Sequence, residues 1–456
     1  MSQPILYYST NLKAPRVSFK EALLKGLAPD GGLYMPEVLP GMDKTELGSL
    51  SGKEYYEIAF AVLQKYLSTE IQQDELLAMV KDAYNFKVPL EPVYERKFLM
   101  RLDRGPTASF KDFAARMMGR MMQYFLHRED RELLILTATS GDTGSAIANA
   151  FYKLENIRVV VLFPEKEVTE RQRKQMTTLG KNVQIIGIKG KFDDCQALVK
   201  RAFSDDALDF LNLSSANSIN IGRLIPQTVY YFYAWSRLKK TQQEKIIFSV
   251  PSGNFGDLMG GLLAYHMGLP VRKFIVATNE NDEVPVYFRT GSYKTVIPSK
   301  DCISSAMNVG HPSNMARIVA LYGGIMNEYG VILKEPDVTR LRQEMYGVSI
   351  NDQQTKATIR SVYERHGVLL EPHGAVGWAG MQEYFKDVPA DALPSQLAVS
   401  LETAHPAKFP AEIKALLGID PDLPQSLQGL DQKKESWETL KADYSLFKKY
   451  LLDKFS

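Results

Sequence analysis

Apolar residues recur every three or four positions at Phe110, Phe113, Ala114, Met117, Met118, Met121 and Phe125, the spacing of a helix that buries one face. The same period predicts helices over Tyr55 to Leu67 and Asp74 to Ala83. Short apolar runs read instead as buried strands: Leu133 to Thr137, Arg158 to Phe163, Val183 to Ile188, Lys245 to Val250 and Lys273 to Thr278. Helix-length segments separate them, and that alternation predicts parallel sheets of the α/β class. A further helix is expected to begin near Ile221 and run to about Trp235. Residues 1–95, with the turn-rich PDGG stretch, read as an N-terminal unit, and residues 411–456 read as mostly helical and packed on the surface. A compact subdomain is expected at about 131–232. No repeat of fixed period interrupts this organisation.

The helix with the methionine stripe opens on the stretch TASFKDF, residues 107–113. Ser109 is the expected N-cap, which puts Lys111 in the first turn. The positive end of the helix disfavours an ammonium there, and burial acts in the same direction. A lysine held near neutrality can attack an aldehyde and form a Schiff base. Taken alone, a solvated helix lysine is the commoner reading, so the weight rests on three further segments.

In LLILTATSGDTGSAIANAF, residues 133–151, a strand runs into Ser140, Gly141, Asp142, Thr143 and Gly144 and then into a helix. In IIFSVPSGNFGDLMGGLLAYHMG, residues 246–268, a strand runs into Ser252, Gly253, Asn254, Phe255, Gly256 and Asp257. Such turns present backbone N–H groups at the positive end of a helix, where a carboxylate or phosphate can sit. Neither turn fits the dinucleotide or P-loop pattern, and Gly-rich turns are common at strand ends of this class. Asp257 is expected to give its backbone N–H to the anion while its side chain caps the helix. The third segment, LNLSSANSINIGRLIPQ at residues 211–227, crowds Ser214, Ser215, Asn217, Ser218 and Asn220 around one charge, Arg223. Serine and asparagine crowding usually makes a capped loop, but an arginine able to hold two phosphate oxygens makes a second anion site plausible.

Together these segments resemble the threonine synthases, pyridoxal-phosphate (PLP) enzymes of the tryptophan-synthase β-like fold. The resemblance rests on TASFKDFAARMMG, ATSGDTGSA, SSANSINIGRL, SGNFGDLMGG and SLETAHPAKFP, which follow the family's order across residues 107–410. LAPDGGLYMPE, residues 27–37, extends it to the longer bacterial and fungal group. Asp142 stands where shorter relatives more usually carry asparagine. The resemblance implies a fold-type II PLP enzyme, with two doubly wound α/β domains, the cofactor in the cleft between them, and an N-terminal domain. The implied domains are residues 1–95, residues 96–130 with 233–410 as the large PLP-binding unit, 131–232 as the small one, and 411–456 as a C-terminal segment.

The resemblance further implies that Lys111 carries PLP and then moves the substrate's α-proton, with the ring accepting the electrons. The substrate would be O-phosphohomoserine, and phosphate would leave from Cγ before water adds at Cβ. Two phosphate sites are then needed. Residues Ser252, Gly253, Asn254, Phe255, Gly256 and Asp257 are assigned to the cofactor's. Asn217, Ser218 and Arg223, helped by Ser140, Asp142 or Thr143, are assigned to the substrate. Thr403 matches the family position facing the pyridine nitrogen, where a hydroxyl, unlike a carboxylate, would not force protonation.

Composition narrows the alternatives. At 456 residues, 45% hydrophobic and 24% charged, the chain has ample core for two or three domains. A net charge of +2 with dispersed Lys and Arg makes no case for nucleic acid or an anionic membrane. The two cysteines, Cys195 and Cys302, lie far apart and read as reduced structural thiols of a cytoplasmic protein. A monomer or small homo-oligomer is expected. His311, His373 and His405 lack the spacing of a zinc site, so no metal is expected. Two other readings stay open at this point: a phospholyase of the same fold that ends in a keto acid, and a non-catalytic binding relative.

Overall fold

The apolar strand runs lack polar alternation because they are covered on both faces. Every residue of Leu133–Ala138, Ile246–Pro251 and Ala398–Glu402 is buried. The computed structural model describes residues 4–139, 141–389 and 391–455, and in it these strands belong to two sheets. The larger has six strands in the order Met345–Ser349, Val271–Thr278, Ile246–Pro251, Ala398–Glu402, Lys97–Arg101 and Leu90–Tyr94. All neighbours in it are parallel except the last pair. The smaller sheet is wholly parallel, in the order Glu438–Lys441, Val183–Lys189, Ile157–Pro164, Leu133–Ala138 and Leu213–Ser214.

The C-terminal segment differs from a helical surface appendage. Glu438–Lys441 pairs with Val183–Lys189 as an edge strand of the smaller sheet. Helix Tyr444–Phe455 then buries Phe447 and Leu451 in the same core as Leu136, Val160 and Ile186. The strand escapes the hydrophobic pattern because three of its four residues are exposed, as suits an edge.

The stretch after Asn220 also differs from one continuous helix. Short 3₁₀ turns at Ile221–Arg223 and Ile225–Gln227 precede the helix Thr228–Leu238. Pro226 supplies no N–H to an α-helical ladder, and the Asn220 side chain caps the first turn through Gly222 N–H at 2.9 Å. The N-terminal residues pair Tyr7–Ser9 with Tyr34–Pro36 and supply the helices Tyr55–Leu67 and Gln73–Ala83. Tyr55 packs its ring 5.4 Å from Phe113 and 5.2 Å from Tyr233, so this unit shares the core that supports the Lys111 helix. Among the described residues no helix is long and apolar enough to cross a membrane.

Candidate functional site

Ile246–Pro251, Ala398–Glu402 and Lys97–Arg101 are successive parallel strands, so the segments leaving their C-terminal ends meet at one edge. That edge is where open α/β sheets bind ligands. Phe110 N–H donates to Thr403 O at 2.9 Å, and His405 N–H donates to Ala108 O at 3.0 Å. These bonds fix the approach to Lys111 against the segment that carries Thr403.

Helix Lys111–Glu129 begins at Lys111 itself, and Ser109 is not its cap. Ser109 is held in a bridge to Ala404, and its Oγ is buried without a partner among the described residues. Asp112 organises the turn instead, accepting from Thr107 N–H at 2.9 Å and from Thr107 Oγ1 at 2.6 Å. Lys111 is half-buried, with Nζ 4.8 Å from the centre of the Phe110 ring. Burial holds its amine below the ordinary lysine value. Asp142 and Asp257 oppose that shift, while Lys408 and Arg223 reinforce it.

The loop after Ile246–Pro251 is shaped by contacts rather than by glycine torsions. Phe255, not a glycine, takes the left-handed conformation, at φ +62°. Gly253 is required for space: a Cβ there would lie 2.8 Å from Met307 Cα and 2.9 Å from Ala306 O. Ser252 Oγ donates to Val250 O at 3.1 Å. Asp257 Oδ1 accepts from Leu258 N–H at 2.8 Å, a first-turn donor of helix Gly256–His266 rather than the expected cap contact. Burial pushes the Asp257 carboxyl up to about 7, which lessens its repulsion of a nearby anion.

Arg223 is 3% exposed, and among the described residues it has no carboxylate within ion-pair distance. Nη1 donates to Ala216 O at 2.6 Å, while Nε is buried without a partner. Burial lowers its ordinary value to about 10. Asn217 Oδ1 is likewise buried without a partner, and Ser218 Oγ accepts from Asn254 Nδ2 at 2.5 Å. Asn220 is structural, donating to Leu23 O and Ser215 O at 2.8 and 2.9 Å.

The turn before helix Asp142–Phe151 is partly committed. Thr139 Oγ1 accepts from Gly141 N–H at 2.9 Å and Gly144 N–H at 2.8 Å, so those two donors do not face a ligand. Asp142 Oδ1 lies 2.5 Å from Lys408 Nζ and accepts from Gln172 Nε2 at 2.9 Å. These partners outweigh burial and hold the carboxyl well below its usual range. Thr143 is half-buried, and Ser140 lies outside the described residues.

Thr403 Oγ1 lies 3.5 Å from Glu371 Oε1. Glu371 also accepts from His373 N–H, Gly374 N–H and His373 Nδ1, capping helix Pro372–Phe385. His373 Nε2 accepts from Ala306 N–H at 3.0 Å, which puts the imidazole proton on Nδ1. A carboxylate only accepts, so the Thr403 hydroxyl donates to it and turns a lone pair elsewhere. His405 Nδ1 accepts from Ala407 N–H, and burial pushes that imidazole down to about 3. Among the described residues no cluster of His, Cys, Asp and Glu could hold a metal ion.

Lys111 therefore lies in the field of Asp142, Asp257 and Arg223, and the turn leading into it is bonded to the segment that carries Thr403. Sequence reasoning missed Glu371, Gln172 and Lys408, and also Asn314 and Arg317, which bond to Ser218 O. Lys408 had a signal: it stands between Ala407 and Phe409 with prolines on either side, an apolar setting for an ammonium. The donor set fits a phosphorylated aldehyde, with a lysine amine of lowered basicity, a loop at a helix N-terminus, and the partnerless Ser109 Oγ and Arg223 Nε.

Three family descriptions match this chain: "Pyridoxal-phosphate dependent enzyme" over residues 88–396, "Threonine synthase N terminus" over 6–84 and "Threonine synthase, C-terminal" over 374–451. The threonine synthase of Haemophilus influenzae is 39% identical over 97% of this chain and 99% of its own length. That of Escherichia coli is 37% identical over 96% and 97%. The crystal structure of PLP-bound threonine synthase from Brucella melitensis superimposes with a TM-score of 0.91 at 37% identity, covering 98% of both chains. The yeast threonine synthase structure gives 0.89 at 29% identity, again over 98% of each.

Proposed function

The chain belongs to the threonine synthase family of pyridoxal-phosphate-dependent enzymes, and on that premise we propose that it converts O-phosphohomoserine and water to L-threonine and phosphate. The observation that carries the phosphorylated substrate is Arg223, a buried guanidinium with no carboxylate partner among the described residues. A buried cation left without an anion is costly, and a phosphate ester would satisfy it.

PLP, when bound, supplies an aldehyde for the substrate amine and a conjugated ring that accepts electrons released at Cα. Lys111 is the residue that would hold that aldehyde, and its free amine would take the proton from Cα. The lowered basicity of its amine suits both roles, since only the neutral form attacks or accepts a proton. Residues Ser252 to Asp257, which lead into helix Gly256–His266, would hold the cofactor's phosphate. Arg223, Asn217 and Ser218 would hold the substrate's phosphate and orient it to leave from Cγ, with help from Thr143; Ser140, assigned as its alternative, lies outside the described residues. Asp142 contributes through its position in the turn, its carboxylate being engaged by Lys408 and Gln172. Thr403 orients the ring.

The proposed division is residues 1–95, 96–130 with 233–410, and 131–232, with 411–456 completing the smaller sheet. A cytoplasmic location is also proposed, supported by two buried free cysteines. The test incubates the PLP-loaded protein with O-phosphohomoserine and quantifies products. Threonine and phosphate in equal amounts are expected, and Lys111→Ala should lose both turnover and borohydride-trappable PLP while staying folded. Release of phosphate with a keto acid in place of threonine would overturn the reading.

A further inference from the structure

Lys408 is fully buried, with its Nζ 2.5 Å from Asp142 Oδ1 and donating to Thr107 O at 3.0 Å. Asp142 opens a helix of the smaller sheet, whereas Lys408 and Thr107 lie on segments leaving the larger one. Gln172 Nε2 completes the coordination of Asp142 from helix Glu170–Thr177. The ion pair thus crosses between the two sheets beside the lysine that opens helix Lys111–Glu129.

Lys111 stands in the field of four charged side chains. Asp142 on helix Asp142–Phe151 and Asp257 on helix Gly256–His266 favour its ammonium form. Arg223 in the turn Ile221–Arg223 and Lys408 after Thr403 oppose it. Asp112, next in sequence, spends both oxygens on Thr107. A free carboxylate at Asp142 would pair with Lys111 in this buried setting and keep it charged, and an ammonium has no lone pair for an aldehyde. Lys408 removes that option by engaging Asp142 at ion-pair distance, and its own charge opposes a second ammonium nearby.

We propose that Lys408 is a positioning residue for the lysine chemistry: by locking Asp142 in a buried ion pair, it withholds that carboxylate from the Lys111 amine. This rests on Lys111 being the PLP-bearing lysine. It also accounts for an aspartate at position 142, because the carboxylate and Lys408 form one neutral unit.

The test follows PLP capture by the full-length protein after its cofactor has been stripped, across a range of pH. Borohydride traps the product and peptide mass spectrometry locates it. Lys408→Met should move the midpoint of capture at Lys111 up by about one pH unit or more, slowing capture about fivefold or more at the wild-type midpoint. Asp142→Asn, which keeps the side chain's shape, should move the midpoint down, because Lys408 then faces Lys111 uncompensated. The double variant should return towards wild type. A purely structural latch would lower stability in both single variants and leave the midpoint where it was. Unmoved midpoints, or shifts of the same sign, overturn the proposal. Should Lys408→Met fail to fold, Asp142→Asn decides alone by the direction of its shift. Trapping at another lysine in the wild type would instead overturn the assignment of Lys111.

Discussion

Asn254 Nδ2 donates to Ser218 Oγ at 2.5 Å, joining the loop assigned to the cofactor's phosphate with the loop assigned to the substrate's. A third segment braces both. Asn254 Oδ1 accepts from Ser313 N–H at 2.6 Å, and Asn314 Nδ2 reaches Asn254 O at 2.9 Å and Ser218 O at 3.3 Å. Arg317, fully buried, donates to Ser218 O at 3.0 Å and to Asn314 Oδ1 at 2.7 Å. The two anion loops are one hydrogen-bonded unit, and neither can shift without the other.

Asn254→Ala should therefore weaken PLP retention and raise the KM for O-phosphohomoserine together. Each loss should be about 1–2 kcal/mol, the range for removing a hydrogen bond and leaving its partner unmet. Cofactor titration and steady-state kinetics on one preparation check this. A change in only one of the two quantities would show that the loops act separately.

Gly253→Val should damage PLP binding more than Gly256→Val. The added Cβ at Gly253 meets backbone at 2.8 and 2.9 Å, whereas at Gly256 it meets the Ser218 side chain at 3.2 Å. Backbone cannot rotate away, and overpacking of this kind costs about 1–3 kcal/mol. Equal PLP affinities for the two variants, measured by titration, would remove Gly253 from the cradle.

Arg223→Ala should lower kcat/KM for O-phosphohomoserine by about one to two decades, matching a lost charge-assisted contact of about 1.5–3 kcal/mol. PLP occupancy should barely change. Thermal stability should fall only through the lost bond to Ala216 O and the space left behind, because no ion pair among the described residues is broken. Intact turnover, or a parallel loss of PLP, would sink the assignment.

Thr403→Ala should keep covalently held PLP but slow turnover several-fold, up to about tenfold, the worth of one neutral hydrogen bond. The Thr403 hydroxyl proton points to Glu371, so Glu371→Gln should disturb the cofactor's absorbance in the same direction. Full activity in Thr403→Ala, or an unaltered spectrum in Glu371→Gln, would break this link.

Asp257 gives a pH dependence of stability. Its carboxyl is pushed from 3.8 to about 7 by burial, so the folded chain holds that proton more tightly than the unfolded one. The group's contribution to stability is therefore full below about pH 4 and is lost as pH rises towards 7. Asp257→Asn removes the loss, and the PLP-free variant should gain stability relative to wild type across that window. Each tenfold difference in proton affinity is worth about 1.4 kcal/mol. Melting temperatures at pH 4.5 and 7.5 measure the gain, and a constant difference between variant and wild type would refute it.

Local burial is written in the order of side chains, which is why periodicity alone located the elements. Helix Tyr55–Leu67 has the expected bounds, and strands Leu133–Ala138, Ile157–Pro164 and Val183–Lys189 extend the expected ones by a residue or so. A strand buried on both faces must be apolar throughout, and a helix with one buried face must repeat every three or four residues. The turns that follow such strands were legible for the same reason, since glycine, serine and asparagine mark where the chain reverses. Partnership across the fold leaves no such trace. Ser109 had the composition of a cap but is bridged to Ala404; Phe110 takes the N-cap position without a side-chain cap, and Asp112 ties the turn to Thr107. Phe255, and not a neighbouring glycine, adopts the left-handed torsion, while Gly253 is required because Ala306 and Met307 leave no room for a Cβ. Strand Glu438–Lys441 is too exposed to read as a strand and exists because Val183–Lys189 offers it an edge. Sequence determined which segments would be buried and where the chain could turn. Tertiary structure alone decided which charge meets which, as Lys408 meets Asp142, because electrostatic partners are chosen by distance in space after both segments have been placed.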